Sequence, residues 1–239
     1  MSEHATPAEG PRFFTFEHEG PQATIAFNRP EKRNCVDASV MLEFESLVER
    51  ARDLPEVKVL VVTGNGPVFC AGADMTLGRD AASKAEQAAA QAELNAVPRL
   101  IGRVYDTMLH ADLITVGAIN GHAVGGGWSL ALGFDHVIAA DGADFWLPEV
   151  EIGMAFRGLA GINLVHRLGP VLAKEAMILG RRFSAAELRD LRLVNAVCAR
   201  EDLAAHTADA VEAYLSVPWK AAITTRRGIH DSLYGPQLY

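Results

Sequence analysis

Along residues 40–54 the apolar positions Val40, Leu42, Phe44, Leu47 and Val48 alternate with charged residues. That roughly helical spacing predicts a helix with one buried face. The preceding FNRPEKRNCVDAS reads as a polar loop ending at a helix start near Asp37 or Ser39. Before it, FFTFEHEGPQATIAF carries two β-rich runs around Gly20-Pro21 and predicts a hairpin. A different pattern occupies 57–64 (VKVLVVTG) and 113–120 (LITVGAIN), where short, nearly continuous apolar runs predict strands covered on both faces. DHVIAADGADFWL supplies two further short strands. Between these runs, an alanine- and glutamine-rich segment at 81–97 leads to Pro98, and Ile101, Val104, Tyr105, Met108 and Leu109 then form an amphipathic stripe. Strand and helix in alternation predict an α/β fold whose parallel strands are joined by right-handed crossovers.

The last third turns helical, through GLAGINLVHRLG, PVLAKEAMILGRRF, SAAELRDLRL and REDLAAHTADAVEAYLSV, with LVNAV as one short strand. A shift in composition near residue 198 divides the chain into an α/β core, 1–197, and a short helical tail, 198–239. The 239 residues are 49% hydrophobic, enough for a buried core. A net charge of -8 and the lack of a basic patch exclude a nucleic-acid surface. GRRF at 180–183 and TTRRG at 224–228 read as solvated helix ends. No run approaches the roughly 18 apolar residues of a membrane span, and the first residues lack an export pattern. Cys35, Cys70 and Cys198 are odd in number and widely spaced, which indicates neither a disulfide framework nor a zinc site. The expected setting is a reducing cytoplasm, with Cys70 a small buried filler.

The chemistry gathers around INGHAVGGGWSLALGFDHVI, 119–138, where three glycines join an apolar strand to an apolar helix. Neither GHAVGGG nor GNGPVF satisfies the dinucleotide pattern G-x-G-x-x-G, and no G-K-[ST] phosphate loop occurs. GWSLA approaches the nucleophile pattern G-x-S-x-G, with Asp135, Asp144 and His166 downstream as candidate acid and base. Against that serine hydrolase stands the spacing, because residues 120–124 read as loop and three glycines precede Ser129. The remaining reading is a backbone oxyanion hole, with unpaired N–H groups at the glycine turn and a second donor from FCAGADM, 69–75.

Taken in order, FNRPEKRN, FCAGADM, INGHAVGGGWSLALGFDHVIAA and LPEVEIGM resemble the crotonase (enoyl-CoA hydratase/isomerase) superfamily over about residues 13–197. The resemblance implies a core of stacked ββα turns, a small C-terminal helical region and an acyl-CoA thioester as substrate. It implies no cofactor, since coenzyme A arrives with the substrate, and a homotrimer or a dimer of trimers. Residue by residue, the two oxyanion donors fall on the N–H groups of Ala73 and Gly126. One of the two acids of the family's hydratases falls on Glu149, and the other is replaced by Ser129. Ala71, Asp74, Met75, Gly125, Gly127, Trp128 and Phe156 fall around the substrate, and Asp135 resembles a buried acid that opens the next strand.

A single carboxylate suits double-bond isomerisation, since one base can take a proton from one carbon of the enolised chain and return it to another. A hydroxyl at 129 binds water but is a poor general base. Hydroxycinnamoyl-CoA hydratase-lyases resemble this chain in pairing serine with glutamate, and they add a C-terminal tyrosine that maps onto none of Tyr214, Tyr234 or Tyr239. The missing acid and short tail also fit a non-catalytic crotonase-like subunit. Phe145, Trp146 and Trp128 are expected to give Glu149 the apolar setting that raises its pKa. Strand alternation places Glu149 and Glu151 on one face, so spacing does not choose between them. Asp74 is expected to organise its turn, His122 to be a satisfied loop histidine, and Phe156 and Arg157 to lie beside the acyl pocket.

Overall fold

The computed structural model describes residues 10–156 and 159–235. Strands β1 (Phe14–Glu19) and β2 (Gln22–Phe27) form the predicted antiparallel hairpin. Asp37 then caps helix α1 (Ala38–Arg52), its carboxylate accepting from the Val40 N–H at 2.9 Å. Next come β3 (Val59–Gly64), β4 (Val68–Cys70), α2 (Lys84–His110), β5 (Ile114–Ile119), β6 (His122–Val124) and α3 (Gly126–Ala131). The chain continues through β7 (His136–Ala140), β8 (Asp144–Trp146), α4 (Leu159–Ile178), β9 (Phe183–Ser184) and α5 (Ala185–Asp190). It closes with β10 (Ala196–Cys198), α6 (Leu203–Leu215) and α7 (Trp219–Tyr234).

The strands make two sheets. The larger runs in the order β1-β2-β3-β5-β7-β10 and is parallel except at β1; the smaller runs β4-β6-β8-β9 and is parallel except at β9. Each turn of the core therefore takes one strand in the large sheet, one in the small sheet, then a helix. This is the stacked ββα arrangement. Between the sheets and helices lies one apolar core, with Ile25, Phe44, Leu60, Tyr105 and Phe145 among its buried members. A second cluster covers the opposite face of the large sheet, where Leu203 and Val211 of α6 and Ile223 of α7 meet Val59, Val61, Ile114 and Val116.

Several local expectations change. Residues 122–124 form strand β6, not loop, because they pair with β4 and β8. The stretches on either side of Pro98 are one helix, started by a reciprocal cap between Ser83 and Glu86. α4 bends at Gly169, which stands just before Pro170. TTRRG is not a solvated helix end: it lies within α7, and Arg226 is buried. Its guanidinium donates to both Asp135 carboxylate oxygens at 2.9 Å and to the carbonyls of Met108, Leu109 and Ala111 at 2.8–3.1 Å. These carbonyls lie at the end of α2, where intrahelical donors run out. Among the described residues no helix is long and apolar enough to cross a membrane, and no cluster of His, Cys, Asp and Glu is placed to hold a metal ion. The three cysteines are free; burial pushes the Cys70 thiol up to about 12.

Candidate active site

Two turns from different parts of the chain meet where the small sheet gives way to helix. The first, in FCAGADM, begins as β4 ends at Cys70. Val36 bridges to Ala73, with the Val36 N–H donating to Gly72 O and the Asp74 N–H donating to Val36 O, both at 2.8 Å. The Ala73 N–H lies between these bonds and outside them, as alternation along an extended segment requires. The second turn is Gly125, between β6 and α3. Its φ of +51° and ψ of -117° suit glycine, and a Cβ there would lie 2.9 Å from Glu149 Oε1. Gly126 opens α3, so its N–H has no preceding turn to donate into. Gly72, with φ +82°, sits between the two turns: a methyl group on it would lie 2.8 Å from the Val124 carbonyl oxygen and 3.4 Å from the Gly126 nitrogen.

These turns wall a cavity of about 120 Å³. Of the predicted residues, Ala71, Ala73, Met75, Gly125, Gly126, Ser129, Glu149 and Phe156 line it. Asp74, Gly127 and Trp128 do not, and the reasons are local. Asp74 is buried beneath the turn, where its carboxylate accepts from the Thr76 N–H at 3.1 Å and from Lys32 Nζ at 3.0 Å. A Cβ on Gly127 would lie 2.4 Å from the Cys70 carbonyl oxygen, so that glycine serves helix-sheet packing. Trp128 points into the core against Phe145 and Phe183. Helical spacing explains the split, because Gly126 and Ser129 share a face of α3 while Gly127 and Trp128 turn away.

Glu149 and Glu151 are separated by a turn rather than aligned on a strand. The segment after β8 leaves the sheet at Trp146, Glu149 enters the cavity, and Glu151 is exposed, close to Gly180. Glu149 Oε2 is buried without a hydrogen-bond partner among the described residues. Loss of water raises its pKa, and its own backbone N–H opposes this only in part. Phe145, Trp146 and Trp128 are not among the residues lining the cavity; its apolar wall is Leu94, Val97, Pro98 and Ile101 of α2 with Met154. Arg157 lies outside the described residues.

Ser129 is 4% exposed and lines the same cavity. Its backbone carbonyl accepts from the Tyr105 hydroxyl at 2.7 Å, and Asn163 donates to that hydroxyl at 3.4 Å and to Leu132 O at 3.0 Å. Tyr234 of α7 donates to Asn163 Oδ1. This buried chain holds α3 from behind. Among the described residues no hydrolytic triad forms around Ser129: His166 is exposed on α4, Asp135 is paired with Arg226, and Asp144 lies beside His122. His122 is satisfied, its Nδ1 accepting from the Asp144 N–H at 3.0 Å.

Sequence reasoning missed the α2 wall. Leu94, Pro98, Ile101 and Tyr105 line the cavity together with Gly102. Their spacing of three and four residues was visible, but a stripe that faces a cavity looks the same as one that faces a core.

The profile of the family described as enoyl-CoA hydratase/isomerase matches residues 18–232. The chain belongs to that family. A mevalonyl-coenzyme A hydratase of Aspergillus fumigatus is 31% identical over 207 residues, covering 86% of this chain and 73% of that protein. A carnitinyl-CoA dehydratase of Citrobacter koseri is 32% identical over 188 residues, covering 79% and 69%. Among solved structures, a putative enoyl-CoA hydratase from Thermobifida fusca YX in complex with acetoacetyl-CoA superposes with a TM-score of 0.82 at 27% identity, covering 95% of this chain and 92% of that one. The crotonase fold implied by the four motifs is therefore the fold observed.

Proposed function

We propose that this family member acts on an acyl-CoA thioester, holding its enolate oxygen at the N–H groups of Ala73 and Gly126 and moving protons with Glu149. The observation that carries the proposal is Glu149 Oε2, buried in a cavity walled by both turns with no hydrogen-bond partner among the described residues. Isolated burial of a carboxylate is costly, and a raised pKa is what a proton-transfer group needs near neutral pH. The relatives named above, a hydratase and a dehydratase, share acyl-CoA chemistry.

The mechanism follows from the chain's own groups. Two N–H donors aimed at one oxygen stabilise the negative charge that develops there; losing one such donor typically costs about 10²- to 10³-fold in rate. With the oxygen held, Glu149 takes a proton from one carbon of the acyl chain and returns it to another, which shifts the double bond. In the hydration direction the same carboxylate accepts the proton of a water that Ser129 hydrogen-bonds as the water oxygen bonds to the β-carbon, and it then returns that proton to the α-carbon of the enolate. One carboxylate serves both reactions in turn, so isomerisation is expected to be the faster. The hydratase-lyase reading needs a C-terminal tyrosine, and neither Tyr214 nor Tyr234 lines the cavity: Tyr214 lies 3.3 Å from His136 on the far face of the sheet. Tyr239 is outside the described residues. A homotrimeric assembly belongs to the same proposal, and sedimentation of the purified protein checks it.

The test is ultraviolet absorbance of the conjugated enoyl thioester, with 2-enoyl-CoA and 3-enoyl-CoA offered in parallel and Glu149→Gln as control. Loss of signal from the first means hydration, and gain from the second means isomerisation. If the Glu149→Gln protein keeps full activity, the carboxylate is not the acid-base group. If wild type turns over neither, the chain either handles a more specialised acyl group or keeps the fold without this chemistry.

A further inference from the structure

Ser129 faces the candidate site on one side and is gripped on the other. Its N–H donates to Gly125 O at 2.9 Å, which ties it to the turn that presents the Gly126 amide. Its carbonyl stands near the end of α3, and the donor that a longer helix would offer it is directed elsewhere: the Gly133 N–H donates to Leu130 O at 2.9 Å. The Tyr105 hydroxyl takes that place, donating to Ser129 O at 2.7 Å. Gly133 also makes room for the ring, since a Cβ on it would lie 2.8 Å from the Tyr105 side chain.

Behind Tyr105 each polar atom has its own partner. Asn163 directs its two amide hydrogens to the Tyr105 oxygen and to Leu132 O, a second carbonyl just past α3, and its own oxygen accepts from the Tyr234 hydroxyl. Tyr105, Asn163 and Tyr234 are 1%, 2% and 6% exposed. Burial raises both phenols above their ordinary range, so they keep their protons and remain donors. The three side chains come from α2, α4 and α7, and their bonds converge on α3, a helix of only six residues. A helix that short moves as one piece, so a grip on its last carbonyls also places its first amide.

We propose that Tyr105, Asn163 and Tyr234 are positioning residues: the chain of bonds ending at Ser129 O sets where the Gly126 N–H meets the thioester oxygen, and it makes α7 part of the candidate active site. The proposal rests on the acyl-CoA reading above and adds to it side chains that act through α3 rather than on a reacting atom.

Infrared difference spectra of bound butanoyl-CoA, labelled with carbon-13 at the thioester carbonyl, test this, because each hydrogen bond accepted by that oxygen lowers its stretching frequency. Wild type, Tyr105→Phe, Tyr234→Phe and the double variant are compared, with Tyr214→Phe, on the far face of the large sheet, as control. Tyr234→Phe should lose part of the wild-type shift. In the absorbance assay it should lower kcat per folded molecule about 3- to 10-fold, the worth of one neutral hydrogen bond, while KM changes by less than about twofold. Tyr105→Phe should do at least as much, and the double variant should be no worse than the worse single one, because both substitutions break the same chain. Tyr214→Phe should match wild type. If Tyr105→Phe and Tyr234→Phe lower only the melting temperature, with carbonyl shift and kcat unchanged, the residues are purely structural and the proposal fails. If their losses add in the double variant, no chain connects them and it fails too. Should Tyr105→Phe not fold, the carbonyl shift of Tyr234→Phe decides alone. If wild type gives no shifted carbonyl, the acyl-CoA reading itself fails, and the proposal with it.

Discussion

Asp135 and Glu149 bracket the same pair of strands, one just before β7 and one just after β8, and both are withdrawn from water, yet the fold treats them in opposite ways. Burial alone would raise Asp135, but His230, Arg226 and Thr115 outweigh it and hold its carboxyl below the ordinary range. Thr115 donates to it twice, from N–H and hydroxyl, both at 2.8 Å, and His230 Nε2 lies 3.3 Å away. Glu149 receives nothing comparable, and its carboxyl rises. A carboxylate whose lone pairs are all engaged ties elements together. One left open inside a cavity is available to a substrate, which is the state the role proposed for Glu149 requires.

The comparison breaks most visibly at Glu149. Glu149→Gln should lower turnover by about 10²- to 10⁴-fold in the absorbance assay, with the fold intact. Its effect on stability should have the opposite sign. Because the folded-state pKa is raised, the ionised form is penalised in the fold; the penalty is absent below the ordinary carboxylate pKa and present in full above the raised value. The melting temperature of Glu149→Gln relative to wild type should therefore climb as pH rises. A flat difference would mean that the carboxylate is not desolvated.

Next in size is Arg226→Met, which strands Asp135 without its cation and should cost about 3–5 kcal/mol in urea unfolding. Asp135 follows the other sign: its pKa is depressed, so its stabilisation is present above the unfolded value and lost as pH falls through the folded one. The deficit of Arg226→Met should shrink in acid. Turnover per folded molecule should change far less than for Glu149→Gln, and an equal loss in both would erase the distinction.

A smaller effect is expected from Gly125→Ala, which places a methyl against Glu149 Oε1 at a positive φ. Strain of this kind costs about 1–3 kcal/mol, and displacement of Glu149 should lower kcat more than it raises KM. Smallest is Ser129→Ala. Removing one neutral hydrogen bond is worth about 0.5–1.5 kcal/mol, so kcat should fall by no more than about tenfold. A loss as large as that of Glu149→Gln would make Ser129 a second essential group.

Much of the architecture was legible because its signals are local. Continuous apolar runs announced β3 and β5, the charge-interrupted spacing of 40–54 announced α1, and the ordered motifs located both turns of the candidate site. What escaped depends on partners distant in sequence. TTRRG looks solvated because nothing nearby reveals that Arg226 pairs with a residue 91 positions earlier. Trp128 was placed at the site because it adjoins it in sequence, whereas the helical rotation of α3 carries it into the core. Glu149 and Glu151 were indistinguishable only while 147–151 was read as strand; the turn after β8 separates them.

The Arg226 contact also bears on how the molecule is made. Asp135 and the last carbonyls of α2 leave the ribosome well before α7, and chains are released at roughly 5–20 residues per second. For those seconds the start of β7 holds a carboxylate whose counter-ion does not yet exist, and water must serve in its place. The closing of that end of the sheet is thus assigned to a residue made 91 positions later, and a growing chain cannot lock it early.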